Sequence, residues 1–194
     1  MRVGVHVVSA ILTANQALGG FVMDNQAGGR AQIALNESDA TTVWTPEMFA
    51  HYRIRIGVGD SHYLRGWHGR EGAKEKLWRW SGPDSKLVLP VSPNERYTLL
   101  LDAEVPPPAV SEESGLYLEG KRLAPLKAGG GLITVEIPAT AQKQITLELR
   151  TNSWVPQKIN ADSHDPRTLG IQLRALTMKA SKAGPKIFDA ITGE

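Results

Sequence analysis

Three of the five tryptophans in the chain lie within one short stretch that is also rich in glycine and charged residues. The side chains of this stretch that could bind a ligand are Trp67, His68, Arg70, Glu71, Trp78, Arg79 and Trp80. A sugar ring offers flat C–H faces that stack on aromatic rings, and hydroxyls that exchange hydrogen bonds with Arg, Glu and His. The stretch therefore predicts a glycan-binding surface. Trp67 is the preferred stacking residue because it lies in a glycine-rich segment.

The pattern Trp78-Arg79-Trp80 has a second interpretation. If these residues form a strand, the two indoles share one face and Arg79 points to the other. The pair of rings can then either fill the core or clamp a cation. Large aromatic side chains usually supply core area, so a structural role is favoured for Trp78 and Trp80.

A second group of polar residues lies about ninety residues further on, in the order Asp165-Pro166-Arg167-Thr168-Leu169-Gly170-Ile171. Asp165 before a proline can cap a turn, and Arg167 can pair with a carboxylate and so fix the loop. Either Arg79 or Arg167 is the expected partner of Glu71. The predicted ligand-binding residues are Trp67, His68, Arg70, Glu71, Arg79 and Arg167.

Catalytic chemistry is not assigned to any residue. A glycan hydrolase would need two carboxylates about 5 to 10 Å apart, and Glu71, Asp162 and Asp165 are the candidates whose proximity the sequence leaves open. His62 and His68 make an incomplete metal site. No metal site and no cofactor are predicted from the side chains. Backbone carbonyls can bind calcium without a residue signature, so the sequence leaves calcium binding open.

The glycines at 129–131 are a poor phosphate loop, because no Lys-Ser/Thr pair and no helix follow them. A hairpin turn is the favoured interpretation of this triplet. The chain has no cysteine, which excludes disulfides, thiolate zinc sites and a cysteine nucleophile. Its net charge of +2, with basic and acidic residues interspersed, gives no electrostatic footprint for nucleic acid.

The elements expected to position these residues are short strands separated by turn residues. The predicted strands are 52–58, 86–91, 97–102, 115–118, 132–137, 145–150 and 169–178. A short helical turn is expected just before Tyr52, from the pattern Thr45-Pro46-Glu47. The fold class predicted is all-β, an antiparallel two-sheet β-sandwich of jelly-roll type with one or two short helical turns.

The predicted organisation is one domain over residues 1–180, with 181–194 as a C-terminal extension. Residues 1–60 are the least defined, and 19–40 are either a long loop or an irregular pair of strands. The apolar start of the chain fits an alternating strand better than a cleaved signal peptide, which predicts a cytoplasmic location with secretion as the alternative. No apolar run is long enough for a membrane helix, so a soluble protein is expected.

Residues 60–178 resemble a jelly-roll-like β-sandwich domain associated with bacterial glycosyltransferases and polysaccharide-assembly proteins. The similarity lies in Gly66-Trp67 with Glu71, in Trp78-Arg79-Trp80, in Trp154-Val155-Pro156 and in the Asp165 to Ile171 segment. The resemblance implies a glycan-related context without an established catalytic role. Two features depart from it: no glycosyltransferase segment is present, and residues 1–60 have no counterpart.

Three functional classes follow from these patterns. The first is a non-catalytic carbohydrate-binding or accessory module, whose partner is a carbohydrate or a glycan-processing protein. The second is a structural module for protein assembly in polysaccharide biosynthesis, favoured if Trp67 is buried. The third is a glycan-active hydrolase. The sheet edges of a β-sandwich also make a homo-oligomer an expectation for this chain.

Overall fold

The computed structural model describes residues 48–57, 60–73 and 76–182, together with the backbone of short strands within 2–44 and at 188–189. Within these residues the protein is built from strands, three short 3-10 turns and one four-residue helix, α1 (Pro156–Ile159). The all-β prediction is confirmed. None of the helices in the described residues is long and apolar enough to cross a membrane.

The strands before residue 45 pair in parallel. They are β1 (Arg2–Val3), β2 (Ala10–Thr13), β3 (Gln16–Ala17), β4 (Phe21–Asn25), β5 (Ala31–Ala34), β6 (Glu37–Ser38) and β7 (Thr41–Trp44). The strands pair in the order β1-β4-β7 and as the pairs β2-β5 and β3-β6. The paired residues are about 21 positions apart in the sequence, for example Ala10 with Ala31. Parallel pairing of strands at such a regular spacing in the sequence is typical of parallel β-solenoids. The antiparallel prediction therefore does not extend to these strands.

The rest of the described chain forms one ten-stranded sheet. Its strands are β8 (His51–Arg55), β9 (Leu64–Ala73), β10 (Lys76–Pro90), β11 (Tyr97–Val105), β12 (Gly115–Leu118), β13 (Lys121–Pro125), β14 (Gly129–Ile137), β15 (Gln144–Arg150), β16 (Gln172–Ala180) and β17 (Phe188–Asp189). The main path runs β13-β12-β15-β10-β16-β11-β14, with β9 on β10 and β8 on β16. All pairs are antiparallel except β17 with β8.

The long strand β10 makes this sheet continuous. Its second half pairs with β15, whereas Arg79 and Trp80 pair with Leu173 and Gln172 of β16. One strand thus connects the group β13-β12-β15 with the group β16-β11-β14. The division into two packed sheets stays a prediction.

Strict alternation of apolar and polar residues places the core on one side of each central strand. In β11, Leu99 and Leu101 are buried and their sequence neighbours are partly exposed. Ile145 and Leu147 of β15 are buried in the same way. Each fully buried side chain of this size stabilises the fold by about 1.5 to 3 kcal/mol, so this alternation fixes which face of the sheet points outward.

Several predicted elements are found close to their expected positions. The strand at 115–118 has the predicted bounds, and the turn before Tyr52 is a 3-10 turn, Met48–Ala50. The prediction for the glycine triplet is wrong, because Gly129 to Gly131 begin β14 and pair with the end of β11. A run of glycines is typical of turns, but glycine can also take part in strand pairing, as it does here.

Candidate functional site

The hairpin of β9 and β10 positions most of the predicted binding residues. Trp78 lies opposite Glu71 and Arg79 lies opposite Arg70 in the antiparallel register. Residues directly opposite each other share a face, and successive residues alternate between faces. The hairpin therefore separates the predicted residues into an arginine side and a tryptophan side.

On the arginine side, Arg79 forms a two-pronged ion pair with Asp60. Its Nε donates to Asp60 Oδ2 at 2.8 Å, and its Nη2 donates to Oδ1 at 2.9 Å. Asp60 is 1% exposed and also accepts the Gly57 N–H at 2.7 Å. The third prong, Arg79 Nη1, donates to the carbonyl of His68 at 3.0 Å. The Arg79 guanidinium thus links Asp60, which itself binds the Gly57 N–H, to the hairpin.

Two other predicted residues bind neighbouring backbone. Arg70 is exposed and its Nη1 donates to the Gly57 carbonyl at 3.3 Å. His68 Nε2 lies 2.9 Å from the Thr168 carbonyl, so the ring donates there from its Nε2–H tautomer. This contact ties β9 to the segment that carries Arg167.

On the tryptophan side, Arg167 lies between two carboxylates. Its Nη1 donates to Glu71 Oε1 at 2.6 Å, and its Nη2 donates to Asp165 Oδ2 at 2.7 Å. Its Nε donates to both Asp165 oxygens, at 3.0 and 3.1 Å. The expected Glu71–Arg167 pairing is present, whereas the alternative with Arg79 is replaced by the pairing with Asp60.

These contacts favour the charged forms of the groups involved. Hydrogen bonds from the Arg167 side chain and backbone lower the pKa of Asp165 from 3.8 to about 2. The same bonds, with those to Glu71, raise the pKa of Arg167 above its ordinary value. At neutral pH the trio of Glu71, Asp165 and Arg167 carries two negative charges and one positive charge.

Trp80 and Trp154 meet edge to face beside this trio. Their ring centroids are 5.9 Å apart and the ring planes make an angle of 81°. Trp154 is held by its Nε1–H, which donates to the Gly170 carbonyl at 3.0 Å, and by an isolated bridge with Leu169. Trp154 packs partly on the core, whereas Trp80 remains partly exposed in front of it. The two rings thus hold each other in place.

Trp78 continues the same side of β10 two residues earlier. It is partly exposed, lies opposite Glu71 and passes over Gly72. We call the surface formed by these side chains the tryptophan–arginine face. It consists of Glu71, Trp78, Trp80, Trp154, Asp165 and Arg167.

Trp67 lies elsewhere and is more constrained than the sequence suggests. Its ring is partly buried against the core, and its Nε1–H donates to the Lys86 carbonyl at 3.1 Å. The geometry therefore favours Trp80 over Trp67 as a stacking residue, which reverses the sequence-based preference. Trp154 and Asp60 were missed as site residues. Proline-flanked Trp154 offered a signal, whereas nothing in the spacing connected Asp60 with Arg79.

Neither a protein-family model nor a curated protein matches this chain. The resemblance to domains of polysaccharide-assembly proteins therefore stays a prediction. What the site can do has to be argued from its own chemistry.

Asp165 does not have the properties of a general acid. A glycosidase pair needs one carboxyl group that stays protonated near neutral pH. Asp165 has the opposite property, because Arg167 keeps it ionised. No group of three or more potential metal ligands is assembled within the described part of the chain.

The lowered pKa of Asp165 predicts a specific pH dependence of stability. Asp165 binds a proton more weakly in the folded state, so its stabilising contribution is complete above 3.8 and is lost as the pH falls through about 2. The contribution should stay below about 1 kcal/mol, since solvent screens a partly exposed pair. Asp165→Asn keeps one acceptor for the Arg167 N–H, and it replaces the charge and the second acceptor by an NH₂ group.

This prediction is checked by urea unfolding of the wild type and Asp165→Asn at about pH 6 and about pH 2. The wild type should be the more stable protein at the higher pH, and the difference should shrink at the lower pH. Equal differences at both pH values would show that the charge of Asp165 contributes nothing.

Proposed function

We propose that this protein is a non-catalytic glycan-binding module that binds sugar on the tryptophan–arginine face. The observation that supports this most is the partly exposed Trp80, which packs at right angles against Trp154 at 5.9 Å and lies two residues from Trp78, the residue opposite Glu71. An indole face offers an apolar plane for the C–H side of a sugar ring. Nearby polar groups then set its orientation and specificity.

The charges of the face favour a neutral sugar over an acidic one. Arg167 already donates to Glu71 and Asp165, and both carboxylates keep lone pairs that can accept hydrogen bonds from hydroxyls. The trio has a net charge of −1, which disfavours a uronate or a sulfated sugar. The expected ligand is therefore a neutral glycan with adjacent free hydroxyls.

The fixed geometry of the face also lowers the cost of binding. Arg167 holds Asp165 through its side chain, and its backbone N–H donates to Asp165 Oδ1 at 3.0 Å, which fixes the turn at 165–167. The carboxylate of Glu71 is anchored at 2.6 Å. Side chains that are already ordered lose little conformational entropy when a ligand arrives.

A structural role in protein assembly is the second candidate. It is favoured by the partial burial of Trp67, whose ring packs on the core and leaves less aromatic surface for a ligand. This candidate predicts a folded protein that binds no glycan.

The proposal is tested by a glycan array followed by calorimetric titration of the best neutral ligand. Trp80→Ala should weaken binding about tenfold or more, since the stacking plane is lost. Arg167→Ala should have a similar effect because both carboxylates lose their anchor. Trp67→Ala should change the affinity little if the protein remains folded.

Arg174 provides a matched control for Arg167. It also contacts two carboxylates at the surface, Asp102 at 2.8 Å and Glu104 at 3.4 Å, and its exposure is similar, 38% against 36%. Arg174→Ala should bind the glycan as the wild type does. Equal losses in Arg167→Ala and Arg174→Ala, or no binding by the folded wild type, would exclude this face as a sugar site.

A further inference from the structure

Strand β14 lies at one end of the ten-stranded sheet. It pairs with β11 over nine consecutive residue pairs, from Tyr97 with Ile137 to Val105 with Gly129, without a bulge. No second strand pairs with β14 among the residues that the structure describes. One side of this long, regular strand therefore presents backbone N–H and C=O groups outside the sheet.

The sequence of β14, GGGLITVEI, lacks the features that usually block an open edge. It contains a single charged residue, Glu136, and no lysine, arginine or proline. The strand at the other end of the path, β13, contains Lys121, Arg122 and Pro125, and its pairing with β12 is irregular. Charges, proline and bulges discourage pairing with another chain, so β13 is protected and β14 is open.

The side chains of β14 leave this edge accessible. Leu132 is 70% exposed, which is unusual for a large apolar residue in an otherwise ordered sheet. Space is open around Gly129 and Gly131, because a Cβ atom at either position would meet nothing within 4 Å. The outward face of β14 is thus uncovered at these positions. The end of β13 lies close to the first residues of β14, so the second half of the strand is the part of the edge that another strand can reach.

We propose that β14 pairs with β14 of a second copy of this chain, antiparallel and across a two-fold axis. Such an interface is self-complementary, since the same strand supplies donors and acceptors on both sides. With the axis at Thr134, the two threonines face each other and Glu136 lies opposite Leu132 of the second copy. The only charges of the strand therefore do not oppose each other, which a parallel in-register pair would force them to do.

The proposal commits to a homodimer built from a continuous sheet. It is independent of glycan binding, because β14 contributes no residue to the tryptophan–arginine face. Pairing would also cover the exposed Leu132, which increases the apolar area removed from water.

Sedimentation equilibrium of the full chain tests this interface. The wild type should have twice the mass of one chain, and Thr134→Lys should weaken the dimer at least about tenfold because two like charges would meet at the axis. Leu132→Glu, at a highly exposed position, should have a similar effect without affecting the fold, because each new carboxylate would face Glu136 of the second copy. Circular dichroism shows whether each variant is folded.

Thr146→Lys is the matched control. Thr146 is an exposed threonine on β15, a central strand with partners on both sides, so the added lysine cannot meet a second copy through strand pairing. This variant should remain dimeric. A wild type that is monomeric at about 100 μM, or a dimer that Thr134→Lys and Leu132→Glu leave unchanged, would overturn the proposal.

Cysteine cross-linking gives a second readout that depends on geometry. The chain has no cysteine, so Thr134→Cys introduces a single thiol. Two such thiols across the axis lie within disulfide reach, and mild oxidation should yield a covalent dimer. Thr146→Cys should yield none. Equal cross-linking of the two variants would show that β14 is not the contact.

Discussion

Asp60→Asn is expected to lower the free energy of unfolding by about 3 kcal/mol. Asp60 is the most deeply buried charged residue among those described, at 1% exposure, and it accepts two hydrogen bonds from Arg79 and one from Gly57. An asparagine would turn an NH₂ group toward one of these donors and would leave the Arg79 charge without its counter-ion. Breaking a buried ion pair from one side is strongly destabilising for this reason.

Urea unfolding of the wild type and the variant measures this loss. Asp84→Asn is the control, because Asp84 is exposed and belongs to the same hairpin; its effect should stay within about 0.5 kcal/mol. A double-mutant cycle with Arg79→Ala should show that the two sites are coupled. A loss below about 1 kcal/mol for Asp60→Asn, or additive effects in the cycle, would mean that the pair does not hold the 57–60 loop.

The sequence predicted the elements whose pattern is local. Alternation identified most of β11, β14 and β15, because in these strands one face is buried and the other is more exposed. It missed β9, whose residues at 64–73 include three glycines and show no alternation. It also did not predict the parallel pairing before residue 45. This pairing joins residues about 20 positions apart, for example Phe21 with Thr41, so the hydrophobic pattern of a single strand does not reveal it.

The candidate site shows the same division between local and distant information. Glu71 was predicted from charge alone to pair with either Arg79 or Arg167, and the structure pairs it with Arg167, 96 residues further along the chain. The exposure of Trp80 could not be predicted in this way. Whether a strand face is covered depends on which residues pack against it. Here the residue that packs against Trp80 is Trp154, which lies 74 positions further along the chain.

Gly72→Ala is expected to cost about 3 kcal/mol or more and to displace Trp78. Gly72 has a φ of +92°, which a side chain disfavours. A Cβ atom there would lie 2.0 Å from the Lys76 carbonyl oxygen and 2.6 Å from the Trp78 ring. The Lys76 carbonyl belongs to the backbone and cannot move aside as the end of a flexible side chain can. The energy cost of the positive φ and the cost of the steric overlap therefore add.

Gly69→Ala separates this effect from the general cost of losing a glycine in β9. Gly69 lies in the same strand, and a Cβ atom there would meet nothing within 4 Å. Urea unfolding should give a near wild-type stability for Gly69→Ala and a large loss for Gly72→Ala. Because Trp78 passes over Gly72, the tryptophan emission of folded Gly72→Ala should also shift, and glycan affinity should fall with it. Similar stabilities for the two variants would mean that the hairpin tip rearranges freely, in which case Trp78 is not held in place by Gly72.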